Sequence, residues 1–280
     1  KEIERKAGVE KTAGFFLMLF IVAGTFAVVY GILYVANLIH PVLRFCLETF
    51  FIYQILATKS LKTESMKVYK KLKEGDLIGA RKEVSYLVGR DTENLDESEV
   101  AKADVETIAE NTADGVIAPM LFIAIGGAPL GFAYKAVNTL DSMVAYKNEE
   151  LINIGFFSAK MDDICNFIPA RFAAVMLMIA SLILRFDFKG AVKIFKRDRF
   201  AHLSPNSAQT EAVAAGALQI QLGGTHNYFG KAVVKPTIGD DIRPVEYEDI
   251  KRTNQLLYVS AVLSMAVCCL ITFLIYVQLF

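Results

Sequence analysis

Residues Asp104 to Glu149 read DVETIAENTADGVIAPMLFIAIGGAPLGFAYKAVNTLDSMVAYKNE, and their reading decides the fold. Two polar clusters, Glu106 to Asp114 and Lys135 to Glu149, flank an apolar run interrupted by Pro119, Gly126, Gly127, Pro129 and Gly131. Helical spacing puts Glu106 and Glu110 one turn apart on one face, with Thr107, Asn111 and Asp114 on the adjoining one. Beyond the breaks, Lys135, Asn138, Asp141 and Ser142 again share a helical face. A helix that only spans a membrane needs none of these groups. Carboxylates, amides and a lysine around a broken apolar hairpin predict a site for a charged ligand.

Working outward, the composition places this stretch in a polytopic, all-α membrane protein with helical polar loops. The 280 residues are 54% hydrophobic with a mean hydropathy of +0.39, yet 21% are charged. Membrane spans separated by sizeable polar regions satisfy both figures. Lys and Arg number 30, as do Asp and Glu, and no basic patch is interleaved with aromatics, which excludes a dedicated nucleic-acid binder. Cys46, Cys165, Cys268 and Cys269 form no CxxC pair, so neither a disulfide framework nor a zinc site is expected.

Charge-free runs mark the spans. Thr12 to Leu43 contains no Asp, Glu, Lys or Arg and holds a first span at about 14–39, too long for a signal-peptide core. Residues 254–280 hold another, and 164–184 a third that carries Arg171. Residues 41–57 make either a further span or a helix lying in the interface, with Arg44 and Glu48 spaced to neutralise each other. The helix breakers make 116–134 a discontinuous or re-entrant helix. All of this is expected to form one membrane-embedded domain, with polar regions at 59–115, 135–163 and 185–252. Six lysines between Lys59 and Lys73, and six basic residues between Arg185 and Arg199, place the polar regions on the cytoplasmic side. Within them, helices are expected at Glu64 to Lys73, at Leu77 to Val88, from Ser98 as a cap, and after Ser204-Pro205-Asn206. The small residues of Ala212 to Ala217 permit close helix packing.

Several side chains suit particular chemistry. Asp114, Asp141, Asp162 and Asp163 offer hard oxygen ligands for Mg²⁺. Arg90, Lys135 and Arg171 are candidate anion binders. Gly224 to Ala232 resembles a phosphate-binding loop but has one residue too many and Ala232 where the metal-binding hydroxyl belongs. It is not a Walker motif, although Gly223-Gly224 and Gly230 can still form an anion nest. His40, His202 and His226 show no metal-ligand spacing and are expected to be incidental.

Taken together, Gly89-Arg90-Asp91-Thr92, the run Val105 to Pro119 (VETIAENTADGVIAP) and Ala136 to Met143 (AVNTLDSM) resemble adenosylcobinamide-phosphate synthase, an integral-membrane enzyme family of cobalamin biosynthesis. Asp162-Asp163 through Asn166 to Arg171, Ser204-Pro205-Asn206 with Glu211, and Leu222-Gly223-Gly224 with Asn227-Tyr228 and Gly230 extend the likeness across Leu87 to Ile250. Gln209 and Thr210 stand where that family commonly has Trp-Pro.

The resemblance implies an ATP-dependent ligase joining a corrinoid carboxylate, adenosylcobyric acid, to aminopropanol phosphate or a related amino-alcohol phosphate. It implies catalytic roles for Glu106, Glu110 and Asp141, whose carboxylates would hold Mg²⁺ or take the amine's proton, and for Lys135, which would hold phosphate. It implies substrate or phosphate binding by Arg90, Asp91, Asn111, Asn138, Ser142, Asn166, Arg171, Asn206 and Glu211, and Mg²⁺ binding by Asp114, Asp141, Asp162 and Asp163. The apolar broken segment would seat the corrin ring. Expected partners are the lipid bilayer, the two substrates, and other cobalamin-assembly enzymes or a second copy of the chain. Two other readings remain open from the residues themselves: a transporter built on the broken helix, and a non-catalytic corrinoid-binding scaffold.

Overall fold

The computed structural model describes residues 2–144, 151–228 and 230–279; residues 145–150, which end the second polar cluster, and Phe229 lie outside the described residues. The helices are α1 (Glu2–Ile39), α2 (Pro41–Ile55), α3 (Thr58–Lys73), α4 (Leu77–Ser85), α5 (Glu97–Asn111), α6 (Ala118–Val144), α7 (Phe156–Ile183), α8 (Phe188–Asp198), α9 (Ser207–Leu218) and α10 (Tyr247–Leu279). A π-helical turn, Thr112–Ile117, joins α5 to α6, and two strands, β1 (Leu222–Tyr228) and β2 (Lys231–Ile238), precede α10. Among the described residues, four helical stretches are long and apolar enough to cross a membrane: Ala7–Ile39, Glu97–Val144, Phe156–Ile183 and Tyr247–Ile275. The chain divides into two compact units: 1–56, 118–167 and 267–280 form one, 57–117 and 168–266 the other.

In the first unit, α1, α2 and α6 pack on one another around Val29, Leu33 and Ala128, with Leu47, Phe51, Ile52 and Phe132 closing the cluster. The corner between α1 and α2 is built by His40 and Pro41. The His40 Nδ1 accepts the Val42 N–H at 3.2 Å, and Pro41 opens the helix where its missing N–H costs nothing. At 15 residues, α2 is about 22 Å long at ~1.5 Å per residue, short of the ~30 Å hydrocarbon layer.

The break expected in the apolar segment falls at Gly126 and Gly127, whose backbones leave helical geometry at φ −137° and +66°. Glu48 lies 3.7 Å from Arg44, as their spacing predicts, and also accepts the Ala128 N–H at 3.4 Å. The carboxylate thereby satisfies a donor that the break releases. A cavity of about 530 Å³ beside the break is bordered by Tyr30, Tyr34, Arg44, Glu48 and Ile123 to Gly127.

In the second unit, α5 begins with a capping box in which Asp96 and Glu99 satisfy each other's backbone N–H groups. The expected cap, Ser98, lies inside the helix and donates to the Val245 carbonyl at 2.8 Å. Asp96 holds the cap because Glu99 stands three residues on, the spacing that the reciprocal pair requires.

Every residue of α9 is buried, including Gln209, Thr210 and Glu211. Gly190 of α8 and Gly216 of α9 let those two backbones touch: a Cβ on Gly216 would lie 2.4 Å from the Gly190 carbonyl oxygen. This is the close packing that the small residues of Ala212 to Ala217 predict. Among the described residues the regular structure is helical apart from the antiparallel β1–β2 hairpin, whose register shifts between Gly223 and Thr225.

Candidate active site

The second unit builds a polar cavity of about 150 Å³ from five separate segments: the loop after α4, one face of α5, His202 in the loop before α9, Glu211 of α9, and the hairpin. From α5 come Glu106, Thr107, Glu110 and Asn111, with the two glutamates one turn apart as their spacing predicts. The π-helical turn follows directly, a local widening that recurs at functional sites.

Arg90, from the loop, forms an ion pair with Glu106, and both side chains are nearly enclosed. The other Glu106 oxygen accepts the Gly223 N–H at 2.7 Å. Gly223 and Gly224, at φ +74° and +99°, form the bend expected of a nest, and the anion beside it is the protein's own Glu106. The Arg90 Nη1 also lies 3.0 and 3.1 Å from the two ring nitrogens of His226 on β1. Asp91 ties the same loop to the hairpin: its N–H donates to the Asn227 carbonyl and its carboxylate accepts the Gly230 N–H, each at 2.8 Å.

The helix α9 contributes a further part of the wall. Ser207 donates its hydroxyl to Glu110 at 2.8 Å. Glu211, one turn further on, lines the cavity while only 5% exposed. Burial, and then the like charges of Glu110 and Glu106, push its carboxyl well above the usual carboxylate range. Burial and the Arg90 charge pull the His226 imidazole down to about 4, and burial lowers His202, which also lines the cavity. Both rings are therefore neutral near pH 7. From β2, Lys235 reaches in with its ammonium 5.4 Å from the Tyr228 ring centre, and Lys102 of α5 places its ammonium beside Gly224.

His202 and Lys235 line the cavity and His226 lies against Arg90, and the sequence pattern had marked none of the three as a site residue. The strands carried the missing signal. His226 and Tyr228 on β1 and Lys235 on β2 are the more covered positions of an alternating pattern that flanks Gly230. A period of two in these short polar runs would have turned all three toward one face.

The remaining candidates fall elsewhere. Arg171 donates to the Asn206 side chain at 3.2 Å, within the second unit but outside the cavity lining. Asp114 sits half-buried in the π-helical turn. Lys135, Asn138, Asp141, Ser142, Asp162, Asp163 and Asn166 belong to the first unit. There Asp162 accepts from Asn166 at 3.0 Å and from Asn138 at 3.4 Å, Asp163 lies 3.9 Å from Lys160, and Ser142 donates to the Asn138 carbonyl. Among the described residues, no three His, Cys, Asp or Glu side chains are grouped to hold a metal ion.

Comparison with known proteins bears on what this arrangement serves. The CobD/Cbib protein family matches residues 1–257. The chain is 55% identical over 261 residues to the cobalamin biosynthesis protein CobD of Clostridium perfringens, spanning 93% of this chain and 83% of that one. It is 50% identical over 252 residues to CobD of Listeria monocytogenes, spanning 90% and 80%. To the cobalamin biosynthesis protein CbiB of Salmonella choleraesuis it is 46% identical over 256 residues, spanning 91% and 80%. No solved structure matches. The segments that build the cavity lie inside the matched region, and the chain belongs to the CobD/CbiB family.

Proposed function

We propose that this protein is a membrane enzyme of cobalamin biosynthesis that forms an amide between the adenosylcobyric acid carboxylate and the amine of aminopropanol phosphate, or of a related amino-alcohol phosphate, at the expense of ATP. One observation carries the reading. Motif residues more than a hundred positions apart, Arg90, Glu106, Glu110, Glu211 and Gly223, converge on one enclosed cavity that mixes carboxyls with cations. Concave polar sites with a strongly shifted carboxyl are where catalysis is sought first.

A carboxylate does not condense with an amine unaided. In this reading its oxygen takes the terminal phosphoryl group as ADP departs, and the amine nitrogen then displaces phosphate from the acyl carbon. Positioning and electrostatics supply most of the catalysis in such transfers. The Glu106 carboxylate and the His226 ring hold Arg90 toward the cavity, and Lys235 adds positive charge for a phosphate.

Mg²⁺ fits the donor set as a shared ligand rather than a caged one, because it is commonly held by one or two carboxylates together with substrate phosphates. Within the second unit the half-buried Asp114 would be the carboxylate to hold it; within the first it would be the half-buried Asp141, with Asp162 and Asp163 as further donors. Bound there, it would offset phosphate charge. Lys135 and Arg171 are proposed to bind phosphate, and Asn111, Asn138 and Asn206 to orient the substrates. The cavity beside the Gly126–Gly127 break would receive an apolar edge of the corrinoid.

The test is a membrane-reconstituted assay with adenosylcobyric acid, aminopropanol phosphate and Mg-ATP, on the parent and on Glu106→Gln and Asp141→Asn. Amide product of the right mass and stoichiometric ADP are expected from the parent, with a loss of at least 100-fold in each variant. A folded, full-length protein that forms no amide with any amino-alcohol phosphate overturns the reading.

A further inference from the structure

Amide formation leaves a proton to be taken from the amine, and helical spacing points to Glu106 or Glu110 for that work. The structure occupies both. Glu106 is bound by Arg90 and by the Gly223 N–H, and Glu110 by the Ser207 hydroxyl. The third carboxyl, Glu211, makes no hydrogen bond among the described residues, although it is 5% exposed and faces the cavity. Buried carboxyls are hydrogen-bonded unless something else meets them, so an unpartnered one aimed into a cavity points to a ligand. The ligand it suits is a cation.

The same lining also carries positive charge. Lys235 lines the cavity beside Tyr228, the neutral ring of His202 adds no charge to it, and Lys102 stands next to the Gly223–Gly224 bend outside the lining. The volume sets the size of the guest. At about 150 Å³ the cavity is well below the ~300–1,000 Å³ typical of drug-sized ligands, which excludes a corrin ring or a whole nucleotide. What remains is a short molecule with a positive and a negative end.

We propose that this cavity seats the phosphorylated primary amine, with its phosphate toward Lys235 and its ammonium on Glu211, and that Glu211 receives the first proton the nitrogen gives up. The assignment rests on the amide-forming reading and places one of its two substrates. The nitrogen sheds two protons in all. One passes to the Glu211 carboxylate as the ammonium becomes a free amine; the second leaves with the departing phosphate as the C–N bond forms and the acyl C–O bond breaks. Product release returns the Glu211 proton to water. The like charges of Glu110 and Glu106 make ionised Glu211 a stronger base than an ordinary carboxylate, and the incoming ammonium offsets those charges and favours its ionised form.

Calorimetry on the purified, lipid-reconstituted protein tests this with three probes: aminopropanol phosphate, its amine-free counterpart propyl phosphate, and inorganic phosphate. The parent is expected to prefer the aminated probe by at least tenfold over propyl phosphate. Glu211→Gln removes that preference while leaving inorganic phosphate affinity within about threefold, whereas Lys235→Met weakens all three probes. In turnover, Glu211→Gln lowers kcat by about 10²–10⁴-fold, the usual range for a lost general base, and Glu211→Asp restores part of it with an altered pH profile. Equal affinity of the parent for the aminated and amine-free probes overturns the assignment, as does a Glu211→Gln protein that keeps the preference. These binding arms need no turnover, so a failure of amide synthesis sinks the reaction and is read separately from a failure of the subsite.

Discussion

The two units treat buried polar side chains in opposite ways. In the first, the Tyr134 hydroxyl donates to Asn166 at 2.8 Å, and Asn166 and Asn138 each donate to Asp162 at 3.0 and 3.4 Å. Phe122 stacks on Tyr134 with ring centres 4.8 Å apart, sealing the chain of bonds with apolar contact. Donors and acceptors are matched there, in helices that cross an apolar environment. In the second unit, the cavity wall satisfies Glu106 and Glu110 and leaves Glu211 unmet. A closed network fixes how helices pack; a network with one open carboxyl keeps chemistry in reserve. Composition does not distinguish the two, since both are amides and carboxylates at helical spacing. Partner geometry does.

The largest expected effect comes from opening the most enclosed pair. Arg90→Ala leaves the Glu106 carboxylate 10% exposed with its charge no longer matched. Breaking one side of a buried ion pair costs about 3–5 kcal/mol. Unfolding of the reconstituted protein in denaturant should show that loss, and amide synthesis should vanish. Combining Arg90→Met with Glu106→Leu should recover much of the stability and none of the activity. A double variant as unstable as the sum of the single changes would show that the pair contributes through more than mutual neutralisation.

The closed network should respond differently. Asn166→Leu removes the donor at 3.0 Å from Asp162 and the acceptor for Tyr134. Leaving buried polar groups unsatisfied costs about 1–3 kcal/mol, so stability should fall by that amount while the folded fraction keeps its KM. A raised KM with unchanged stability would instead make Asn166 a substrate ligand, as the family resemblance implies, and would weaken the contrast between the units.

How much of this was legible in the sequence follows the same division. Charge-free runs located the spans because hydrocarbon tolerates few charges, and the Gly126–Gly127 break was visible because glycine admits φ +66° where other residues are strained. The Glu106–Glu110 face followed from helical period alone. The hairpin did not. Its strands are short, polar and partly exposed, so neither hydrophobicity nor length announced them, and His226 and Lys235 went with them. Glu211 was readable as a polar residue in a small-residue helix, but its lack of a partner is a fact of tertiary structure. The Asp96 cap is legible in Glu99, three residues on, which is the other half of the capping box.

The smallest effect concerns pH, and it separates the cavity from the closed network because two of its groups shift in opposite directions. His226 faces Arg90, Glu106, Lys102 and Lys235, and its folded value is lowered by burial first and Arg90 second to about 4. Above its ordinary value of about 6.5 the ring is neutral in both states and adds no pH dependence. As pH falls from about 6.5 toward 4, the unfolded chain takes up a proton that the folded chain refuses, so stability declines across that window. Glu211 acts in reverse: its raised folded value makes stability decline as pH climbs from the ordinary glutamate range toward that value. Measured unfolding from pH 4 to 8 should therefore show an acid limb that is shallower in His226→Asn, with His202 keeping part of the slope because burial lowers it too. Glu211→Gln should leave that acid limb in place and flatten the opposing one. An acid limb unchanged in His226→Asn would mean that the ring is not held against Arg90 in a neutral form, and the mixed-charge balance of the cavity would need to be redrawn.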